Sequence, residues 1–558
     1  MLYLSAHQLT FRYPTQVDPL FRSLSFQLRS QSRVGLIGRN GVGKSTLLQL
    51  LLGQLTPGTG TLTRHPDLQL GYLPQAPGSH LLAHFPEATS LDLLWQARPE
   101  LNALRQSLQA EVPDLAELAR FDSLGGYEFE TEAARHLSAL GGEPEWLERP
   151  LCSLSGGERA RVGLCLLQLQ AANVYLLDEP GNDLDAPMLD WLSEFLLSSQ
   201  VPYLLVSHDR RLLDSCCAEI WELQAGSLQI RQGNYAAYRA QCEQEQAHQQ
   251  RLYAQERKKI TRLQAAAQNR RQQAERHETF KPSRSRKKNG GLCKRDDGSG
   301  GALRVGHLMR AAKATETRLE RASEAAEALR PNPQRQSALH FQAAISSRKP
   351  CLQLDKLSYK LAGHRLFGPL QLSLSAGQCL VLTGPNGSGK STLLRYLLSQ
   401  HPHAEPADFS GQFSGHVSWH SQLQVGYFAQ TPPPLPLERS ALSWVQTFAP
   451  SQLSSPASRQ QAQTLLACLG LGPDLSQQPL ATLSRGEQSK VLLAALLLQQ
   501  PEILLLDEPT NHLELPAREA LETALQAYPG ALILVSHDRT FCEALADQQV
   551  ELKPSKWE

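Results

Sequence analysis

Three observations predict an α/β protein built as two copies of one domain with a helical segment between them. Blocks of sequence recur at a fixed offset. Short, continuously apolar runs alternate with helical stretches. A basic central segment carries an apolar seam at heptad spacing.

The repeat sets the number of domains. LSGGERARV from Leu154 returns as LSRGEQSKV from Leu483, an offset of 329 residues. LLDEP (176–180) and LVSHDR (205–210) return at the same offset, so three blocks match without a gap over 57 residues. GRNGVGKSTLL from Gly38 and GPNGSGKSTLL from Gly384 stand 346 apart, so the copies differ in length between this block and the LS-x-GE block. The expected domains are 1–232 and 346–558, joined by 233–345.

Each copy is expected to hold a parallel sheet. RVGLIG, VYLLDEP and PYLLVSHD are candidate strands in the first, with CLVLTG, EILLLDEP and ALILVSHD as counterparts. Runs this continuously apolar suit strands covered on both faces. The glycine-rich blocks then lead into helices beginning near Lys44 and Lys390.

Composition agrees with globular domains: 41% hydrophobic and 20% charged residues. No apolar run reaches the roughly 18 residues needed to span a bilayer, and the start, MLYLSAHQLTFRYP, lacks a signal-peptide pattern. Ten cysteines without a C-x-x-C pair point away from a zinc site or a disulfide framework and towards inert thiols in the cytoplasm. The 55 basic and 54 acidic residues nearly cancel over the chain. Residues 233–345, however, hold 23 Lys or Arg against 11 Asp or Glu, an excess of 12 that leaves the remainder at −11. A basic segment between two acidic domains is a cue for a polyanionic partner.

Gly38–Ser45 and Gly384–Ser391 both satisfy G-x-x-x-x-G-K-[ST] between a predicted strand and a predicted helix. The glycines Gly38, Gly41 and Gly43, and Gly384, Gly387 and Gly389, let backbone N–H groups curl round phosphate oxygens. Asn40, Thr46, Asn386 and Thr392 complete the loops. Lys44 and Lys390 are expected to reach the β- and γ-phosphates of ATP, and Ser45 and Ser391 to bind Mg²⁺. Asp178 and Asp507 end apolar strands, where a carboxylate can reach the same cation. Glu179 and Glu508 follow at once and suit a general base for the attacking water. His208 and His537 come after another apolar strand, placed to contact a γ-phosphate.

These blocks together with LSGGE at Leu154–Glu158 resemble the ATP-binding cassette superfamily, over about four fifths of the chain. The resemblance implies two P-loop ATPase domains in tandem, an ATPase reaction and an α-helical hairpin linker. Gln75 in GYLPQ and Gln430 in GYFAQ match the family's glutamine that links Mg²⁺ and water to the helical subdomain. It also implies that each signature closes over the ATP of the other copy. One site would combine Lys44, Gln75, Asp178, Glu179 and His208 with Ser484 and Gly486. The other would combine Lys390, Gln430, Asp507, Glu508 and His537 with Ser155, Gly156 and Gly157. Three departures stand out: Arg485 replaces a signature glycine and is expected to crowd the Lys44 site, Gly181 replaces the usual threonine, and Glu514 replaces an aspartate. Two competent sites with different rates are expected. Phe11 or Tyr13 in the first copy, and Tyr359 in the second, are the candidates for stacking on adenine.

The joint reads as a helical hairpin. Leu308, Ala312, Thr315, Leu319, Ala322, Ala326 and Leu329 alternate spacings of four and three, with Tyr253, Ile260, Leu263 and Ala267 as a weaker facing seam. Its opening, GNYAAYRAQCEQEQ from Gly233, and the stretch DSLGGYEFETEAARHLSALG resemble the F subfamily of cassette proteins, whose arm would fall at about 80–150 here. That resemblance implies a monomer whose cassettes close intramolecularly on the ribosome, in the exit site, with large-subunit rRNA and P-site tRNA as partners and no membrane partner. The tip, 281–301, would carry Arg284, Arg286, Lys287, Lys288, Lys294 and Arg295 to RNA phosphates. Translation regulation and protection of ribosomes from antibiotics are both open at this point, while a transporter subunit or a DNA-repair ATPase fits less well.

Overall fold

The computed structural model of the chain describes residues 1–78, 82–83, 85, 87–110, 115–182, 184–224, 226–279, 299–329, 350–361, 364–385, 387–402, 409–420, 423–429, 435–449, 455–511 and 513–553. The chain divides into two compact units, Met1–Tyr238 with Ser337–Glu558, and Arg239–Gln336.

The first unit holds both repeats. In the first repeat the strands are β1 (Leu2–Phe11), β2 (Phe21–Arg29), β3 (Arg33–Gly38), β4 (Thr59–Arg64), β5 (Leu70–Leu73), β6 (Val174–Asp178), β7 (Tyr203–Val206), β8 (Glu219–Gln224) and β9 (Ser227–Gln232). In the second they are β10 (Leu352–Leu361), β11 (His364–Leu374), β12 (Cys379–Thr383), β13 (Gln412–Trp419), β14 (Val425–Phe428), β15 (Ile503–Asp507), β16 (Ala531–Val535) and β17 (Gln548–Glu551). The central sheets run β5-β6-β7-β3-β8-β9 and β14-β15-β16-β12-β17, the same order apart from the extra β9. All neighbours are parallel except β8 and β9.

The six expected strands are all present, and β6, β7, β15 and β16 are buried at every position. Helices cover both faces of such strands, which is why their sequences do not alternate. The antiparallel edge strand β9 and the separate antiparallel sheets, β2-β1-β4 and β11-β10-β13, go beyond the parallel sheet expected from sequence. In β1 burial falls at Leu4, Ala6, Leu9 and Phe11, an alternation broken by register shifts between Ala6 and Leu9 and between Leu9 and Phe11. One apolar core joins this sheet to the central sheet of the first repeat through Phe26, Val34, Leu176 and Trp221.

Between β5 and β6 lie the helices Ser90–Trp95, Pro99–Ala110, Leu115–Ser123 and Phe129–Ala139, in the region where sequence suggests an arm. Trp95 and Phe129 close their core, ring centroids 4.1 Å apart. Among the described residues no helix is long and apolar enough to cross a membrane.

The second unit is drawn from two helices, Tyr235–Thr279 of 45 residues and Ser299–Ala328 of 30. At 1.5 Å per residue the shorter one spans about 45 Å. Ala267, Ala322 and Ala326 are buried, and Tyr253, Ile260, Leu263, Leu319 and Leu329 are half-buried, on the two expected seams. Gln249 donates to the Leu329 carbonyl at 3.4 Å, which sets the start of the first helix beside the end of the second. The expected tip with Arg284, Arg286, Lys287, Lys288, Lys294 and Arg295 lies outside the described residues up to position 298; Gly300 and Gly301 belong to the second helix.

Candidate functional site

Parallel pairing brings the motif residues together at the carboxyl edge of each central sheet. The register sets Asp178 beside Val206 and Asp507 beside Val535, so LLDEP meets SHD directly. Glu179 and Glu508 donate their backbone N–H to the Val206 and Val535 carbonyls at 2.9 Å, and both have left-handed backbones, φ 51° and 52°. Non-glycine residues in that region are strained and collect at functional sites. The turn aims each carboxyl back across the sheet edge, where Oε2 accepts the N–H of His208 or His537 at 3.3 Å.

The glycine-rich loops follow β3 and β12. Gly41 and Gly387 are left-handed, the backbone conformation that lets the loop turn its N–H groups towards a phosphate. Lys44 donates to the carbonyl oxygens of Gly38 and Arg39 at 2.7 and 3.3 Å, and Lys390 to those of Gly384 and Pro385 at 2.8 and 3.0 Å. Ser45 stands close enough to Asp178, and Ser391 to Asp507, to favour the ionised form of each carboxyl against burial.

Burial dominates the electrostatics. It pushes the Glu179 carboxyl up to about 7 and that of Glu508 up to about 8. It drives His208 well below the usual histidine range and His537 down to about 4. With both histidines held neutral by burial, their 3.3 Å and 3.4 Å approaches to Glu179 and Glu508 are not ion pairs. Among the described residues, Glu179 Oε1, Glu508 Oε1, Asp507 Oδ1 and Ser388 Oγ are buried without a hydrogen-bond partner. Oxygens left in this state fit a site made for a charged, polar ligand. Mg²⁺, when bound, would be held by Ser45 with Asp178 and by Ser391 with Asp507, and would offset phosphate charge.

The repeats face one another. A cavity of about 510 Å³ is lined by Lys390, Ser391, Thr392, Asp507, Glu508 and His537 on one side and by Ser155, Gly156 and Gly157 of the first repeat on the other. LSGGE is a capping box: Ser155 Oγ accepts the Glu158 N–H at 3.3 Å, and Glu158 accepts the Ser155 N–H at 2.6 Å. Ser484 and Glu487 repeat this arrangement. Tyr359 also lines the cavity, packed on Phe413 with centroids 4.3 Å apart. In the first repeat Phe11 is core, whereas Tyr13 is half-buried with its hydroxyl 3.0 Å from Thr46 Oγ1.

At the Lys44 site the contact that crosses between repeats was not legible in sequence. Glu514 Oε1 accepts the Asn40 N–H at 2.8 Å and lies 3.7 Å from the buried Lys490 ammonium. Its counterpart Asp185 accepts the Met188 N–H and pairs with Arg161 at 3.2 Å. Arg485 is exposed at the start of its helix. Gln75 is exposed beyond β5, and Gln430 and Asn386 lie outside the described residues. Two further ion pairs bridge the repeats, Arg210 with Glu522 at 2.7 Å and Arg539 with Asp190 at 2.7 Å. Tyr235 donates to Glu519 at 2.9 Å.

Comparison with known proteins agrees with this geometry. The ABC transporter family model matches residues 21–182 and 367–511. The tylosin resistance ATP-binding protein TlrC of Streptomyces fradiae is 32% identical over 582 residues, covering 99% of this chain and 97% of its own length. The probable ATP-binding protein YbiT of Escherichia coli O157:H7 is 30% identical, covering 96% and 94%. Among solved structures, the archaeal ribosome recycling factor aABCE1, in complex with the stalk protein aP1, shares the fold at a TM-score of 0.58 and 19% identity, over 99% of this chain and 88% of that one. Two facing nucleotide-binding half-sites, matched twice in one polypeptide, place the chain in the ATP-binding cassette family, as a tandem-cassette ATPase of its F subfamily.

Proposed function

We propose that this protein is a ribosome-associated ATPase that binds ATP and Mg²⁺ at two composite sites and uses their closure and hydrolysis to act on translation. The cassettes are 1–232 and 346–558, the linker 233–345. Glu179 and Glu508 are the general bases, His208 and His537 the γ-phosphate contacts, and Gln75 and Gln430 the links to Mg²⁺ and the attacking water. Ser155, Gly156 and Gly157 serve the Lys390 site; Ser484 and Gly486 serve the Lys44 site. Tyr13 and Tyr359 are the adenine platforms.

The observation that carries the reading is a pair of facing half-sites interrupted by a long, basic helical segment with a buried seam. Each phosphate contact releases counterions, so a segment with an excess of 12 positive charges suits a highly charged RNA surface. The working form is a cytoplasmic monomer. A chain with both Glu179→Gln and Glu508→Gln should sediment with 70S ribosomes in ATP, and deletion of 281–298 should abolish that. Failure of the double-Gln chain to sediment with ribosomes, at any salt that keeps ribosomes intact, would overturn the reading.

Similarity to the tylosin resistance protein favours a second reading, protection of ribosomes from antibiotics. Expression in a sensitive host against a drug panel separates the two. Raised resistance that depends on Glu179 and Glu508 supports protection; an unchanged panel with ribosome binding intact supports a translation factor.

A further inference from the structure

The helix after LLDEP begins at Ala186 in the first cassette and at Leu515 in the second, and one position on it is filled by unlike residues. Leu189 and Arg518 are equivalent, 329 residues apart. Leu189 also lines the Lys390 cavity, but packs beside Gly181 of its own cassette, where an added Cβ would meet its Cδ2 at 3.0 Å. The second cassette has Thr510 at the Gly181 position, its hydroxyl 3.0 Å from Ser536 Oγ, and Arg518 is directed elsewhere.

Arg518 Nε donates to the Leu513 carbonyl at 2.9 Å, which anchors the guanidinium on its own loop. Its Nη1 donates across the interface to the His208 carbonyl at 3.0 Å and lies 3.4 Å from Asp538 Oδ2. The side chain is 13% exposed and forms part of the wall of the cavity that holds Lys390 and Glu508. One guanidinium thus touches the histidine loop of the first cassette, the SHD loop of the second and the Lys390 cavity. It also offsets the repulsion between Asp209 and Asp538, which act on one another across the interface. Leu189 can donate no hydrogen bond, so the opposite direction lacks this link.

We propose that Arg518 is a positioning residue that couples the two ATP sites in one direction. It holds the His208 loop in place for hydrolysis at the Lys44 site according to whether the Lys390 cavity is filled. The inference rests on the two-site reading above. Linkage makes coupled binding affinities reciprocal, but coupling of kcat need not be symmetric.

The test uses the full chain with Arg518→Leu, the residue the first cassette carries, and Arg518→Lys, which keeps charge without the planar fork. Each is made in a Glu508→Gln background, where only Glu179 can act as base, and in a Glu179→Gln background, where only Glu508 can. ATPase kinetics are measured in all of them. In the Glu508→Gln background Arg518→Leu should lower kcat about tenfold with KM nearly unchanged, within the usual range of coupling between sites. Arg518→Lys should recover an intermediate kcat. In the Glu179→Gln background Arg518→Leu should lower kcat by a clearly smaller factor, about threefold at most, since at the Lys390 site Arg518 lines the cavity wall and neighbours Asp538, whereas at the Lys44 site it holds the His208 carbonyl directly. Equal losses in both backgrounds, or none in either, overturn the proposal. Should Arg518→Leu unfold, Arg518→Lys decides by the same comparison. Absence of hydrolysis in both Gln backgrounds with Arg518 intact counts against the two-site assignment instead.

Discussion

Removing the Glu514 carboxylate should cost several kcal/mol, because it serves a buried cation and the other cassette at once. The Lys490 side chain is 5% exposed and that of Glu514 10%, with Nζ and Oε1 3.7 Å apart. The same oxygen accepts the Asn40 N–H of the other cassette at 2.8 Å. Glu514→Ala strips a buried ammonium of this partner, a loss of about 3–5 kcal/mol for a broken buried pair. The hydrogen bond to Asn40 is charge-assisted and worth about 1.5–3 kcal/mol, but it overlaps with the first term and does not simply add. Glu514→Asp separates the two: it keeps a carboxylate near Lys490 while drawing it back by one methylene from Asn40, and should cost about 1–2 kcal/mol. Lys490→Met combined with Glu514→Leu should return to within about 1–2 kcal/mol of the wild type, because an apolar pair of similar volume replaces a buried ion pair at little cost. Urea unfolding of the wild type, Lys490→Met, Glu514→Leu and the double variant completes a double-mutant cycle and gives the interaction energy. Single costs that add to the double within about 0.5 kcal/mol would refute a coupled buried pair.

The remaining predictions concern the same interface and its two carboxyls. Glu179 and Glu508 have folded values raised to about 7 and about 8 by burial, so their contribution to stability is full below their ordinary range near 4.5 and is lost as pH rises through 7 to 8. Glu508→Gln should therefore gain stability over the wild type in ATP-free protein between pH 5 and pH 8.5, by up to about 1.4 kcal/mol per unit of raised pKa; an offset independent of pH would contradict this. Glu522→Ala should weaken ATP-driven closure more than Asp190→Ala, about 2 kcal/mol against less than about 1, since the Arg210 pair is 12% and 19% exposed and the Arg539 pair 31% and 54%. Fluorescence transfer between labelled cassettes reads the closure, and equal shifts would refute the ranking. Single-turnover hydrolysis should differ between Glu179→Gln and Glu508→Gln by at least about threefold, because the sites differ at Gly181, Arg485 and Glu514; equal rates would remove the asymmetry.

Much of each half-site was legible because its parts are short and locally determined. A glycine-rich loop between strand and helix and an acid at the end of an unbroken apolar strand each specify a local shape, and each folds as expected here; the S-x-x-E caps at Ser155 and Ser484 emerged only in the structure. β6 and β15 could be read from VYLLD and ILLLD because both faces are covered, whereas β1 could not, its alternation being broken where the pairing shifts register. Arg485, expected to crowd the Lys44 site, is exposed at the first position of its helix.

The amino-acid sequence by itself determined that the chain carries two phosphate-binding loops and two acidic strand ends, because these depend on neighbours within a few residues. It also determined that a basic heptad segment lies between them. Only the tertiary structure decided which side chains bridge the two repeats. Asn40 and Glu514 are 474 residues apart, and Arg518 and His208 are 310 apart. No local rule links such pairs. They meet because two domains of the same fold turn the carboxyl edges of their sheets towards one another, and the side chains that bridge them are set by that packing.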